Sequence, residues 1–406
     1  MGKVPCLSPC GEGRPRLEVA DIFRAFGDGY CESHVLTAEQ RAVVKAITTC
    51  RTAVLGGHLD VCTACGHEVP AYNSCRNRHC PKCQSLAQAA WLEARQERIL
   101  PTRYFHVVFT LPHELKALVR FNQRLFYDLL LETASRTLLE FGHSRLEAQI
   151  GITTVLHTWT RDLRFHPHAH CVVTAGGLAL DQSQWVSARS RYLFPVTAMS
   201  TVFRGKFLAG VQQAYDDGHL EFGGACAKLA EREAFARWMR TLYRNDWVVY
   251  AKSPFGGPEQ VFNYLGRYTH RVGLSNRRLC SFDEAGVCFS TKNGKTVTVP
   301  PTEFIRRFLL HVLPRAFVKI RHYGLHSSSN ATTKLEVARQ KILGSVDSQP
   351  SASAPAAPKT WQDRFLEATG IDVTICPRCG KAGLTRLPLP VATQFSALLP
   401  AGQDTS

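Results

Sequence analysis

Three groups of residues in this chain have types and spacings that can do chemistry. They are Tyr264 and Tyr268 in Tyr-Leu-Gly-Arg-Tyr, the run His166-Pro-His168-Ala-His170, and the pairs Cys62/Cys65, Cys80/Cys83 and Cys376/Cys379. Four residues advance a helix by about one turn and leave the two tyrosines within about 40° of each other, so both phenols can enter one cleft. In a strand, alternate side chains share a face, so His166, His168 and His170 project together and can hold a divalent cation. Pro167 makes the strand irregular where it begins, and His166 is the least regular member.

A tyrosinate oxygen beside such a cation, with Mg2+ or Mn2+ expected, is equipped to attack a DNA phosphodiester. The attack releases a 3′-hydroxyl and keeps the 5′-phosphate as a tyrosyl ester. That ester stores the energy for rejoining, so no nucleotide cofactor is needed, and two tyrosines allow two strand transfers. An isolated tyrosine pair at this spacing is more often two core aromatics, and a lone histidine is more often a core or surface residue. Here Arg267, Arg271, Arg277 and Arg278 surround the tyrosines, a charge that a hydrophobic seam would not carry.

The 406-residue chain has a formal net charge of +16. Residues 264–323 hold eleven basic and three acidic residues, an excess of eight, so half the imbalance lies in a segment that opens on the first tyrosine. Such a patch suits neutralisation of DNA phosphates.

The Cys62/Cys65 and Cys80/Cys83 pairs are fourteen residues apart. Two tight thiolate turns at this spacing predict one tetrahedral structural Zn2+ site of the ribbon type, with Cys75 and His79 as alternative ligands. Arg76, Arg78 and Lys82 interleave with these ligands, which suits phosphate contact on a rigid knuckle. Cys376-Pro-Arg-Cys379 is half of a second such site and would need borrowed ligands. These are metal-ligand spacings in a chain whose residues 1–16 hold no apolar secretory core, so disulfides are not expected. No apolar run approaches the roughly 20 residues of a membrane span, so a cytoplasmic, nucleoid-associated location without membrane partners is expected.

The elements that position these groups can be sketched. Val19, Ile22, Phe23 and Phe26 fall at helical spacing, and Thr37 with Gln40 forms a capping box before a second helix. A further helix is expected over Leu86 to Leu100. Strands are expected over Tyr104 to Thr110, Thr153 to Trp159, His168 to Thr174 and Trp247 to Ala251. A turn at Arg161-Asp162 joins the middle two, and Gly176-Gly177 is expected to end the third. Long helices are expected at 114–141 and 226–243, and Pro258 is placed to start the helix bearing the tyrosines. Strands over 279–290 and 295–299 flank an Asn293-Gly294 hairpin turn. The expected organisation is a tail (1–16), a helical and zinc-binding DNA-recognition domain (17–100), a catalytic domain (101–343), a linker (344–360) and a small Cys-x-x-Cys module (361–406).

Several segments resemble the two-tyrosine HUH transposases, rolling-circle insertion-sequence enzymes of bacteria with an N-terminal zinc-binding region. They are Cys50-Arg-Thr-Ala-Val-Leu-Gly-Gly-His, Ser74-Cys-Arg-Asn-Arg-His-Cys-Pro-Lys-Cys, Phe109-Thr-Leu-Pro, His166-Pro-His-Ala-His, Tyr264-Leu-Gly-Arg-Tyr-Thr-His-Arg and Ile320-Arg-His-Tyr-Gly. They run in that family's order over roughly residues 17–325. The resemblance implies an α+β fold with a palm-like antiparallel sheet, histidines on a central strand and tyrosines on a neighbouring helix. It implies His168 and His170 as metal ligands, Tyr264 and Tyr268 as nucleophiles, and single-stranded DNA at element ends and targets as substrate, with host replication machinery as a further partner. Two positions depart from the pattern. Ala169 is small where the family has a bulky residue, and after Tyr323-Gly324 the chain turns to His326-Ser-Ser-Ser-Asn330 where a basic, apolar stretch is usual.

A third metal ligand is left open among His166 and groups such as Gln260. A replication initiator or relaxase would share the chemistry, but the zinc block points to a transposase and no Gly-x-x-x-x-Gly-Lys-Ser/Thr loop is present. A non-catalytic zinc-dependent DNA-binding protein would bind without forming a covalent adduct.

Overall fold

A computed structural model describes residues 17–83, 98–188, 193–255, 273–344 and 360–391. The sequence-predicted helix over 86–100 falls almost wholly outside these residues, as do the tyrosine segment and the linker.

In chain order the helices are α1 (Val19–Ser33), α2 (Ala38–Thr49), α3 (Lys116–Phe121), α4 (Gln123–Leu146), α5 (Val196–Asp216), α6 (Arg232–Arg244), α7 (Pro301–Leu309), α8 (Lys334–Gly344) and α9 (Trp361–Thr369). The strands are β1 (Gly57–Cys62), β2 (Glu68–Tyr72), β3 (Tyr104–Thr110), β4 (Ala148–Trp159), β5 (Phe165–Ala179), β6 (Trp185–Ser187), β7 (Val249–Phe255), β8 (Leu279–Phe282), β9 (Val287–Ser290), β10 (Thr296–Val299), β11 (Ile320–Gly324) and β12 (Leu384–Leu389).

The central sheet runs β11-β4-β5-β3-β7 with β6 added to β5, and every pairing is antiparallel. The α+β reading with an antiparallel sheet and flanking helices therefore holds. Strand alternation makes one face apolar. Phe105, Val107 and Phe109 of β3, Ile152 and Leu156 of β4, and Ala169, Cys171 and Val173 of β5 are buried there under α4 and α5. Phe203 of α5 meets Phe109 at 4.9 Å and Phe207 meets Phe126 of α4 at 6.0 Å. Ala169 pairs with Phe109 on one side and Leu156 on the other, so large neighbours occupy the space a bulky residue would take.

Three elements depart from the sequence-based expectation. The long helix breaks at Asn122, whose buried amide donates to the Leu118 and Glu221 carbonyls and accepts from the Glu221 N–H. A side chain that binds backbone this way competes with helix continuation. Helix α5 was not anticipated, although Met199, Phe203, Phe207 and Val211 recur every four residues and are all fully buried. Strand β5 does not end at Gly176-Gly177. Gly176, at φ +149°, bulges there, and a Cβ on it would lie 2.4 Å from the Val186 carbonyl oxygen of β6.

A second core joins segments far apart in sequence. Val19, Ile22 and Phe23 of α1 and Val43 and Ile47 of α2 pack with Leu279, Val287, Phe289 and Val299 of the β10-β9-β8 sheet and with Phe304 and Phe308 of α7. Phe23 meets Phe308 edge-on at 5.3 Å, and Gln40 donates to the Leu309 carbonyl at 3.2 Å. The Thr37–Gln40 capping box forms as expected. Asn293 and Gly294 both have positive φ, as a two-residue hairpin turn requires. The boundary expected near residue 100 thus does not divide the cores.

The third sheet, β12-β1-β2, pairs the C-terminal segment with the N-terminal module over six residues, Gly57↔Leu389 through Cys62↔Leu384. Among the described residues no helix is long and apolar enough to cross a membrane.

Candidate metal centres

The face of the central sheet opposite α4 and α5 is lined with histidine. His168 of β5 lies between Thr110 of β3 and His157 of β4, and His170 lies between Val108 and Val155. One ligand atom each from His157, His168 and His170 falls within 4.8 Å of the others. The 157 and 170 ring centroids are 4.3 Å apart and those of 168 and 170 are 4.8 Å apart.

The outer hydrogen bonds orient these rings. His168 Nδ1 donates to the His166 carbonyl at 2.6 Å, which leaves its Nε2 lone pair for a ligand. His170 Nδ1 bonds His106 Nε2 at 2.7 Å, and with the proton on Nδ1 the His170 Nε2 is likewise left for coordination. Burial holds His168 neutral down to about 4 and pushes His170 well below the usual range, helped by neighbouring histidines. Neutral imidazole is the form that binds metal. The residues therefore fit a cation.

His166 shares the face, but it supplies the carbonyl that orients His168 and is not a member of this cluster. His157 is the residue that sequence reading missed. The signal was the Arg161-Asp162 turn, since the hairpin it closes lays His157 against the histidine run of β5, and an irregularity between His157 and Trp159 then sets it opposite His168. Tyr264, Tyr268, Arg267, Arg271 and Gln260 lie outside the described residues.

The cysteines form two quartets, and neither is the expected set of Cys62, Cys65, Cys80 and Cys83. Cys50, Cys75, Cys80 and Cys83 make the first; Cys62, Cys65, Cys376 and Cys379 make the second. The Cys62/Cys65 and Cys80/Cys83 pairs are thus separated because β1 carries the former toward β12. Cys75, expected only as an alternative, is a full member of the first quartet. His79 is not: it is buried, and its Nε2 accepts from the Leu313 N–H at 3.4 Å.

Sulfur separations are 3.4 Å for Cys50–Cys83 and 3.6 Å for Cys75–Cys83. A zinc tetrahedron with Zn–S bonds of about 2.3 Å has edges of about 3.8 Å, whereas a disulfide needs about 2.05 Å. Hydrogen bonds from Cys50, Cys75 and Cys80 hold the Cys83 thiol far below its ordinary range, and contacts with Cys50, Cys75 and Cys83 push Cys80 up. Four sulfurs this close cannot all be thiolates without a cation, and the donor set suits Zn2+.

The basic residues divide into structural and exposed ones. Lys82 is not free for phosphate, because it forms a buried ion pair with Glu18. Arg278 is spent on the Ser290, Gly273 and Arg161 carbonyls. Arg306 and Arg307 share Glu303, and Arg321 pairs with Asp128. Arg76 and Arg277 are exposed. Arg78 donates to the Phe317 carbonyl at 2.6 Å and lines a small cavity with Lys319, Trp159 and His311. Burial, then Arg78, brings Lys319 down to about 7.

Two buried histidines outside the cluster set an acid limit. His311 donates from Nε2 to the Leu163 carbonyl and accepts at Nδ1 from Thr158, and His326 bonds Thr153. Burial lowers them to about 4 and about 3. Folded values below the unfolded one mean that the unfolded chain binds more protons, so their contribution is complete above about pH 6.5 and falls as pH drops toward 4. At ~1.4 kcal/mol per unit, each is expected to contribute on the order of a few kcal/mol. Urea midpoints should fall between pH 7 and pH 5, less steeply in His311→Asn; identical slopes would refute neutral burial of His311.

Comparison with known proteins agrees with these features. Residues 22–111 match a family described as "Transposase zinc-binding domain", and residues 151–333 match one described as "Putative transposase". The chain is 47% identical over 371 residues to "Putative transposase y4qJ" of Sinorhizobium fredii, covering 89% of this chain and 92% of that protein. It is 27% identical over 342 residues to "Transposase for insertion sequence element IS801" of Pseudomonas savastanoi pv. phaseolicola, covering 78% and 77%. No solved structure matches the chain. Identity of that extent, with both family regions in order on one chain, means that the chain belongs to the insertion-sequence transposases carrying an IS91-type zinc-binding domain.

Proposed function

We propose that this transposase cuts and rejoins single-stranded DNA in the bacterial cytoplasm, using Tyr264 and Tyr268 as nucleophiles at a metal held by His157, His168 and His170. The observation that carries this reading is the cluster of three imidazoles on one face of the central sheet, with His168 and His170 held neutral by burial and oriented by outer hydrogen bonds. The described chain around the tyrosines also supports it. β7 is in the same sheet, with Tyr250 in the row of His170 and Val108. After the tyrosine segment, Gly273 lies against Trp159, which stacks on His157 at 4.7 Å.

When bound, a divalent cation would polarise the scissile phosphate and offset charge on its oxygens. The tyrosine Oη forms the new bond to phosphorus, the P–O3′ bond breaks, and the departing oxygen takes up a proton as the 3′-hydroxyl. Tyr250 is exposed on this face, as an aromatic that stacks an unpaired base would be. Arg78 and Lys319 face one cavity, where an anion such as a strand phosphate would relieve their mutual repulsion. A donor set of imidazoles without a carboxylate suits Mn2+ better than Mg2+.

The test is a denaturing gel of the protein with labelled single-stranded DNA from its element's ends and Mn2+ or Mg2+. A metal-dependent covalent adduct is expected, abolished in Tyr264→Phe/Tyr268→Phe. An adduct that survives the double substitution would assign the nucleophile elsewhere. Tight binding with no adduct on any end sequence would favour a non-catalytic DNA-binding protein.

A further inference from the structure

The second cysteine quartet draws its ligands equally from the two ends of the chain. Cys62 Sγ lies 3.7 Å from Cys379 Sγ, and Cys65 Sγ lies 3.8 Å from Cys376 Sγ. These match the tetrahedron edge of about 3.8 Å set by Zn–S bonds of about 2.3 Å. The two halves are alike in build. Gly66 N–H bonds the Cys62 carbonyl at 2.9 Å and Gly380 N–H bonds the Cys376 carbonyl at 2.9 Å, each closing a tight turn on a positive-φ glycine. Further contacts hold the halves together. β12 pairs with β1 over six residues, Arg386 makes a two-pronged ion pair with Asp60 at 2.8 and 3.1 Å, and Thr63 donates to the Gly383 carbonyl. The matched family regions, 22–111 and 151–333, include only the N-terminal half of this site.

We propose that Cys62, Cys65, Cys376 and Cys379 form a second zinc site that staples the C-terminal segment onto the N-terminal module of the same chain. The strand pairing alone is modest: β12 is mostly exposed, and a six-residue edge strand on a two-stranded ribbon adds little by itself. The metal makes this docking strong, because zinc holds four thiolates only when both ends of the chain are present. The N-terminal module is therefore completed by residues that follow Cys62 by more than three hundred positions.

The test uses the full-length protein with a protease site inserted between residues 345 and 359. Zinc is counted by elemental analysis, and after cleavage the fragments are followed by size-exclusion chromatography. Cys376→Ser/Cys379→Ser is expected to lose one zinc ion per chain relative to the parent. The cleaved parent should elute as one species and should release its C-terminal fragment on chelation. An unchanged zinc count in the double variant would overturn the proposal, as would release of the fragment from the zinc-loaded parent. Because the chelation arm keeps the natural cysteines, it decides the matter even if the variant misfolds. An undiminished first quartet is checked in the same samples by Cys50→Ser/Cys83→Ser, which should lose a different zinc ion and leave the fragment attached. Retention of the fragment by a second copy would appear as a dimer at cleavage and would refute the same-chain form.

Discussion

His157→Ala is expected to reduce strand cleavage by about 10²–10⁴-fold, the rate equivalent of the several kcal/mol that a positioned metal supplies to phosphate chemistry. His166→Ala should have a much smaller effect, because its backbone carbonyl, not its ring, orients His168. Single-turnover cleavage at saturating DNA, with binding measured separately, checks both. His157→Ala should leave DNA affinity nearly unchanged, since phosphate contacts come from Arg and Lys. Cleavage retained in His157→Ala but lost in His166→Ala would remove His157 from the metal site and make His166 the third ligand. Mn2+ titrations add a second readout. Loss of one of three nitrogen ligands should raise the metal concentration needed for half-maximal cleavage, whereas a purely structural role for His157 would leave it unchanged.

Losing the first cysteine quartet should have the largest effect on stability. Cys50 and Cys80 are buried at the junction of that quartet with the second core, beside Val43, Ile47 and Phe23. Structural zinc contributes on the order of 10–16 kcal/mol of apparent binding energy in small modules, more than a typical domain's net stability. Cys80→Ser is therefore expected to release one zinc ion and to unfold α1, α2 and the knuckle together. Hydrogen exchange should show amides of α1, α2 and α7 losing protection as a group, while β3, β4 and β5 keep theirs. Protection retained in α1 would mean that the apolar packing on α7 holds without metal.

How much of this was legible in the sequence depended on how far apart the partners are. Strand β3, the two N-terminal helices and the Asn293-Gly294 turn follow from periodicity and turn chemistry within a dozen residues. The alternation of His168 with His170 was equally local, and the structure puts both on one face. His157 was within reach as a member of the histidine face, because the hairpin that joins β4 to β5 has its turn in plain view, whereas the register shift that sets it opposite His168 was not legible. The division of cysteines was not. Nothing near Cys62 or Cys65 signals that strand β12, some 320 residues later, lies alongside them. The expected pairing with Cys80 and Cys83 was the nearest in sequence and not the nearest in space. The same limit applies to the arginines. Composition counts the charge on Arg278 and Lys82, but only the fold shows that carbonyls and Glu18 already use it.

The second core bears on how this protein can be rebuilt. Helices α1 and α2 are finished only by β8, β9, β10 and α7, segments made after almost the whole central sheet has left the ribosome. Contacts this distant close slowly, so the N-terminal helices should spend synthesis unsheltered. Evolution and engineering meet the same constraint. A chimera that takes residues 17–100 from a relative, in the hope of exchanging DNA-end recognition, imports one half of an interface and leaves its other half behind. The exchangeable unit is segments 17–83 and 273–313 together with the C-terminal segment 360–391 that pairs with β1, and retargeting such a transposase means moving all three.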